Sequence, residues 1–201
     1  MLKCHAHDSL ASSPRRLIVT LAKAARVLLT TLLAALLWTG GQAVAAPQEA
    51  AGRPLVATVL TYDASGSAEF ASAVASGAAI WNESVTSVDL VPVQPGQRAN
   101  IRIVADNGWP RAQTTSLGNG TVWMGRQAVD QGYNTVRIAA HELGHILGLP
   151  DIKPGPCSSL MSGSTAGVSC TNASPNSSER SRVESAFGGS LAVAAPATYL
   201  D

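Results

Sequence analysis

The residues that could do chemistry lie in one stretch, His141-Glu142-Leu143-Gly144-His145-Ile146-Leu147-Gly148-Leu149-Pro150-Asp151. On a helix, residues four apart share a face, so His141 and His145 can grip a Zn²⁺ ion from one side. Glu142 follows the first histidine and stands beside such an ion, where it can hold a water molecule and take its proton. Gly148 stops the helix, because glycine enters left-handed backbone at little cost. The turn lets Asp151 come back as a third ligand, with a fourth position left open for water. A bare H-E-x-x-H also occurs on exposed helices with unrelated charges. Gly148 and Asp151 at fixed offsets favour the metal reading.

The supply of histidines narrows the ligand set. There are four, and His5 and His7 fall in a leader. A three-histidine site is therefore impossible, and the third ligand must be acidic, a cysteine or a tyrosine. Glu179 and Glu184 are distant candidates. Asp151 is nearer and follows the Gly148 turn, and is preferred.

Residues 1–45 read as a secretory signal. Lys3, Arg15, Arg16, Lys23 and Arg26 precede an almost wholly apolar run at 27–38, and Ala43-Val44-Ala45 supplies a small-residue cleavage site. The run is too short for a comfortable membrane span, so a stable anchor is not expected. Residues 46–54 form a short pro-segment or loose N-terminus, 55–188 a catalytic domain and 189–201 a tail. The whole chain has net charge +1. Beyond residue 45, nine basic side chains face twelve acidic ones, a net charge of −3, which offers no basic stripe for nucleic acid. Cys4 departs with the leader, leaving Cys157 and Cys170 as an even pair. In an oxidising compartment they should form a disulfide worth about 3 kcal/mol.

The elements that must position the motif follow from patterning. Residues 55–62 read as a buried strand. Phe70, Val74, Ala78 and Trp81 mark an amphipathic helix over 67–82. Residues 87–93 and 99–105 are strands, 106–119 a loop, and 121–124 a short edge strand. Asn134 or Thr135 caps the motif helix, whose core face carries Val136, Ala139 or Ala140, Leu143 and Ile146, with the histidines on another. Pro175 opens a last helix that carries Val183 and Phe187. This is an α+β pattern in one domain.

The motif resembles the snapalysins, small secreted neutral metalloproteases of streptomycetes that are metzincin-like but carry aspartate as third ligand. Tyr62-Asp63-Ala64 and Ile80-Trp81-Asn82 are similar to that family's N-terminal half, and residues 155–163, 169–173, 175–177 and 179–183 to its later segments. The resemblance implies a twisted, mostly parallel sheet with an edge strand, an active-site helix, a Met-turn and a C-terminal helix. It also implies His141, His145 and Asp151 as zinc ligands, Glu142 as general base and a single Cys157–Cys170 disulfide. Met161, by itself an ordinary core residue, becomes the hydrophobic floor beneath the metal. Two departures stand out. Ile152-Lys153 occupies the place of a family tyrosine, so either Lys153 takes its part or zinc acts alone. The family is credited with a Ca²⁺ site before the zinc helix, where Asn134-Thr135-Val136 offers fewer oxygens than an acidic residue would.

The expectation is a secreted, monomeric zinc endopeptidase acting on proteins or peptides. Its substrate would lie extended along residues 121–124, and the resemblance implies a large aromatic residue after the scissile bond. One rival is a weak or inactive zinc-binding module of the same fold, against which an intact Glu142 argues. Another is an exported structural protein without metal, which metal analysis would separate.

Overall fold

The computed structural model describes residues 56–189 and 196–200. The expected signal at 1–45 and the expected pro-segment or loose N-terminus at 46–54 lie outside the described residues. Among those described, no helix is long and apolar enough to cross a membrane.

Six strands form one sheet in the order β2-β1-β3-β5-β4-β6. Strands β1 (Thr58–Gly66), β2 (Val88–Pro92), β3 (Ile101–Asp106) and β5 (Asn119–Gly125) run parallel, while β4 (Arg111–Ser116) runs antiparallel to both of its neighbours, β5 and β6 (Ala197–Leu200). Parallel neighbours need a crossover, and helix α1 (Ala71–Ser84) supplies it between β1 and β2. Phe70, Val74, Ala78 and Trp81, the expected anchors, are all buried. A short helix α2 (Arg126–Asp130) then leads to α3 (Thr135–Ile146), which carries the motif, and α4 (Ser177–Phe187) follows. The architecture is the expected mixed α and β one, with a mostly parallel sheet.

Several boundaries differ, each for a physical reason. The first strand is half-buried rather than buried, because Leu60 and Tyr62 face the core while Val59 stands 58% exposed on the other side. It also continues through residues 63–66 instead of breaking there. Residues 111–116, expected as loop, are a strand. They hairpin onto β5 through Leu117-Gly118, where Gly118 holds φ +76°. That hairpin puts β5 inside the sheet, so residues 121–124 are not an edge. The tail is not wholly loose, since residues 197–200 pair with β4. The last helix starts after Asn176, not at Pro175. The Asn176 side chain accepts from Glu179 N and the Glu179 carboxylate accepts from Asn176 N, a reciprocal cap.

Helix α3 sits among the other elements. Trp81 Nε1 donates to Ala140 O at 2.8 Å. Gly77 lets α1 come close, for a Cβ there would lie 2.9 Å from Ala140 N. At the far end the hairpin turn closes the helix, with Gly118 N donating to Ile146 O at 2.9 Å. Asn134 caps the start by accepting from Arg137 N. Every residue from Arg137 to Ile146 is buried, so the histidine face is not solvated. The segment after Gly148 folds back over it.

Candidate metal centre

Both histidines are held by their Nδ1 atoms. His141 Nδ1 lies 3.0 Å from Leu160 O, and His145 Nδ1 lies 2.8 Å from Leu149 O. A carbonyl only accepts, so each Nδ1 carries the proton and each neutral ring turns the lone pair of Nε2 inward. The two Nε2 atoms are 3.0 Å apart. Gly148, at φ +91°, reverses the chain and brings in Asp151, whose Oδ1 is 3.4 Å from His141 Nε2 and 3.5 Å from His145 Nε2.

Three electron-pair donors thus converge, and His141, His145 and Asp151 form a group able to hold a metal ion. The edge of a tetrahedron with metal–ligand bonds near 2.05 Å is about 3.3 Å, close to the observed separations. Protonation states agree. Burial holds the His145 imidazole below its ordinary pKa, although Asp151 opposes this. Burial pushes the Asp151 carboxyl up, yet its contacts with the two imidazoles prevail and hold it well below the carboxylate range. Near neutral pH these shifts leave His145 a neutral imidazole and Asp151 a carboxylate, as cation binding requires.

The surrounding residues divide between the site and its support. Glu142 is fully buried beside His141. Met161 is fully buried too, and Gly144 makes room for it, since a Cβ there would lie 2.8 Å from Met161 Sδ. Glu179, weighed above as a ligand, is not in the metal-binding group. Its carboxylate accepts from Ser159 Oγ at 2.7 Å, Met161 N at 3.0 Å, Leu160 N at 3.2 Å and Asn176 N at 2.7 Å. Glu184 accepts instead from Thr86 N. Cys157 and Cys170 are joined in a disulfide that closes this same loop. The Asn134 side chain is engaged as the α3 cap, at the place considered for Ca²⁺.

Two further side chains stand against the triad. Lys153 Nζ stands 3.3 Å from Asp151 Oδ1 and donates to Leu200 O at 3.3 Å. The Tyr199 ring stacks on His145 with centroids 4.0 Å apart and planes 6° from parallel. Tyr199 was missed in the sequence. Its alternation with Ala197 on one side of a Thr- and Tyr-containing run was the available signal.

Comparison with known proteins matches residues 57–189 to the model of the Streptomyces extracellular neutral proteinase (M7) family. The chain belongs to this family. Its M7 relatives include the extracellular small neutral protease of Streptomyces coelicolor, 45% identical over 153 residues, covering 75% of this chain and 69% of that one. The protein of that name from Streptomyces caespitosus is 44% identical over 126 residues, which are 62% of this chain and 92% of the relative. That from Streptomyces sp. strain C5 is 41% identical over 153 residues, 76% of this chain and 66% of its own. The M7 match takes in the whole of the metal-binding group and the loop that supports it.

Proposed function

We propose that the chain is a secreted zinc endopeptidase, and the observation that carries this is the convergence of His141, His145 and Asp151 next to a buried Glu142. Membership of a proteinase family and relatives named extracellular small neutral proteases support peptide-bond hydrolysis and export. Residues 1–45 are then the signal, 46–54 a segment lost or loose after export, and 55–188 the catalytic domain, acting as a monomer.

A zinc ion held by the two Nε2 atoms and Asp151 Oδ1 would supply Lewis acidity toward a peptide carbonyl and toward water. The chain's own residues do the rest. The carbonyls of Leu160 and Leu149 fix both imidazoles in the tautomer that offers Nε2. Glu142 takes a proton from the attacking water on a carboxylate oxygen and delivers it to the departing amine nitrogen. Met161 packs beneath Gly144, on the helix turn between the histidines, and keeps that turn apolar. Substrate lies extended along the edge of β4 that residues 197–200 cover in this structure. A large aromatic side chain is favoured after the scissile bond, a reading that follows from the resemblance to the snapalysins.

The deciding experiment is digestion of a peptide library by the purified protein, with and without a zinc chelator, alongside Glu142→Gln. The parent is expected to cut, the chelated protein not to, and the variant to keep one metal ion while losing hydrolysis. Parent-like turnover by Glu142→Gln would take that residue out of the mechanism.

A further inference from the structure

Strand β4 has one edge on β5 and the other on β6, and the second pairing is local neither in sequence nor in character. Residues 197–200 lie antiparallel to β4 with Leu200 opposite Arg111, Tyr199 opposite Ala112, Thr198 opposite Gln113 and Ala197 opposite Thr114. Thr114 Oγ1 clasps the start of the strand, accepting from Ala197 N at 2.9 Å and donating to Ala197 O at 3.2 Å. Lys153 donates to Leu200 O while standing at Asp151. Between these two clasps Tyr199 turns inward onto the His145 ring, and Leu200 points out, 69% exposed.

An extended segment on a sheet edge, with alternate side chains in and out and one aromatic ring in a pocket at the metal-binding group, is bound as a peptide ligand would be. We propose that residues 197–200 occupy the β4 edge as a tethered competitor, an autoinhibitory strand that must leave before a substrate can enter. The inference rests on the peptidase reading above and adds to it an autoinhibitory contact made by the chain's own residues 197–200. The strand is short and one face of it is solvated, so its hold is modest. Tethering within one chain presents it at an effective concentration on the order of millimolar. Against a four-residue peptide that binds with Kd of about 0.1–1 mM, this gives an occupied-to-open ratio of roughly 1–10. Because occupancy multiplies the apparent KM, releasing the strand lowers KM by about 2- to 10-fold and leaves kcat unchanged.

The test uses the full chain and its variants Tyr199→Ala and Tyr199→Phe, with two independent readouts. Hydrogen exchange of the amides at 111–116 reports docking whether or not anything is hydrolysed. It is expected to quicken in Tyr199→Ala and to stay at the parent rate in Tyr199→Phe, which keeps the stacked ring. Steady-state cleavage of a fluorogenic peptide should show the KM decrease at constant kcat in Tyr199→Ala alone. Acetyl-Ala-Thr-Tyr-Leu-amide, added to Tyr199→Ala, should slow the exchange again and inhibit competitively. Parent values of exchange and KM in Tyr199→Ala would overturn the proposal. So would a fall in kcat together with lost thermal stability, since β6 would then be a structural strand. If exchange responds to the variant and to the added peptide but nothing is cleaved, the docking surface stands and the peptidase reading alone falls.

Discussion

Exchanging Glu179 for glutamine keeps volume and shape and changes only what its oxygens can accept. In the parent each carboxylate oxygen takes two bonds, Oε1 from Ser159 Oγ and Met161 N, Oε2 from Leu160 N and Asn176 N. A glutamine must turn its NH₂ toward one of these pairs. Turned toward Leu160 and Asn176, it leaves two N–H groups without an acceptor. Turned the other way, it can donate to Ser159 Oγ, and only the buried Met161 N–H is stranded. That second orientation should prevail and costs about 1–3 kcal/mol for the stranded group. Losing the charge weakens the surviving bonds by about 1–2 kcal/mol more. The total, near 3 kcal/mol, corresponds to a fall in Tm of roughly 10 °C for a domain of this size. The effect should also reach the metal centre. Leu160 is held through its N–H by Glu179 and through its O by His141, so zinc affinity should drop by about 10-fold with stoichiometry unchanged. Thermal unfolding and zinc titration of the metal-free protein read both effects. A Tm within 2 °C of the parent would refute the hydrogen-bond reasoning, in the sense that an estimate of about 3 kcal/mol could not hide there. Loss of the bound ion would instead make Glu179 a ligand.

Three further outcomes are expected. Asp151→Ala should leave two ligands on one helix and weaken zinc binding by a large factor in titration of the metal-free protein, whereas Glu184→Ala should bind as the parent does. Reducing Cys157–Cys170 should cost about 3 kcal/mol in denaturant unfolding without immediate release of metal, since neither sulfur belongs to the metal-binding group; zinc appearing in solution on reduction would contradict this. Gly77→Ala should destabilise by about 1–3 kcal/mol despite alanine's better helix propensity, because its Cβ would press on the α3 backbone at Ala140; an unchanged or raised Tm would show that α1 and α3 can part cheaply.

The triad was legible because metal chemistry dictates its spacing. Four residues set two imidazoles on one helix face, and a glycine three further on sets the reversal that delivers Asp151. Helix α1 was legible because Phe70, Val74, Ala78 and Trp81 repeat at helical intervals. What stayed hidden depended on partners remote in sequence. Arg111-Ala112-Gln113-Thr114-Thr115-Ser116 looks like loop, since only Ala112 and Thr114 turn inward and the other face is polar. Its strand character comes from β5 on one side and β6 on the other. The short apolar run at 121–124 looked like an edge for want of that knowledge. Residues 197–200 follow an alanine-rich stretch that ends in Pro196, and their place beside the triad rests on pairing with residues more than 80 positions away. The Asn176 cap was an oversight of another kind, because Asn-Ser-Ser-Glu is a local signal that Pro175 masked.

The two histidines are supported unequally. His145 leans on Leu149, four residues along and inside the helix-ending turn, while His141 leans on Leu160, which belongs to the loop tied by the disulfide and by Glu179. Opening of that loop would free one imidazole to rotate and leave the other in place. An ion held by the triad would then leave in stages, with His145 and Asp151 the last to let go. By linkage, an ion that binds only the closed loop resists its opening in proportion to its affinity, about 2.7 kcal/mol at one hundred times Kd. Amide exchange at residues 157–163 should therefore slow as zinc is raised, while the turn around Gly148 responds far less. The ion's hold on the protein can be read in how seldom that loop breathes.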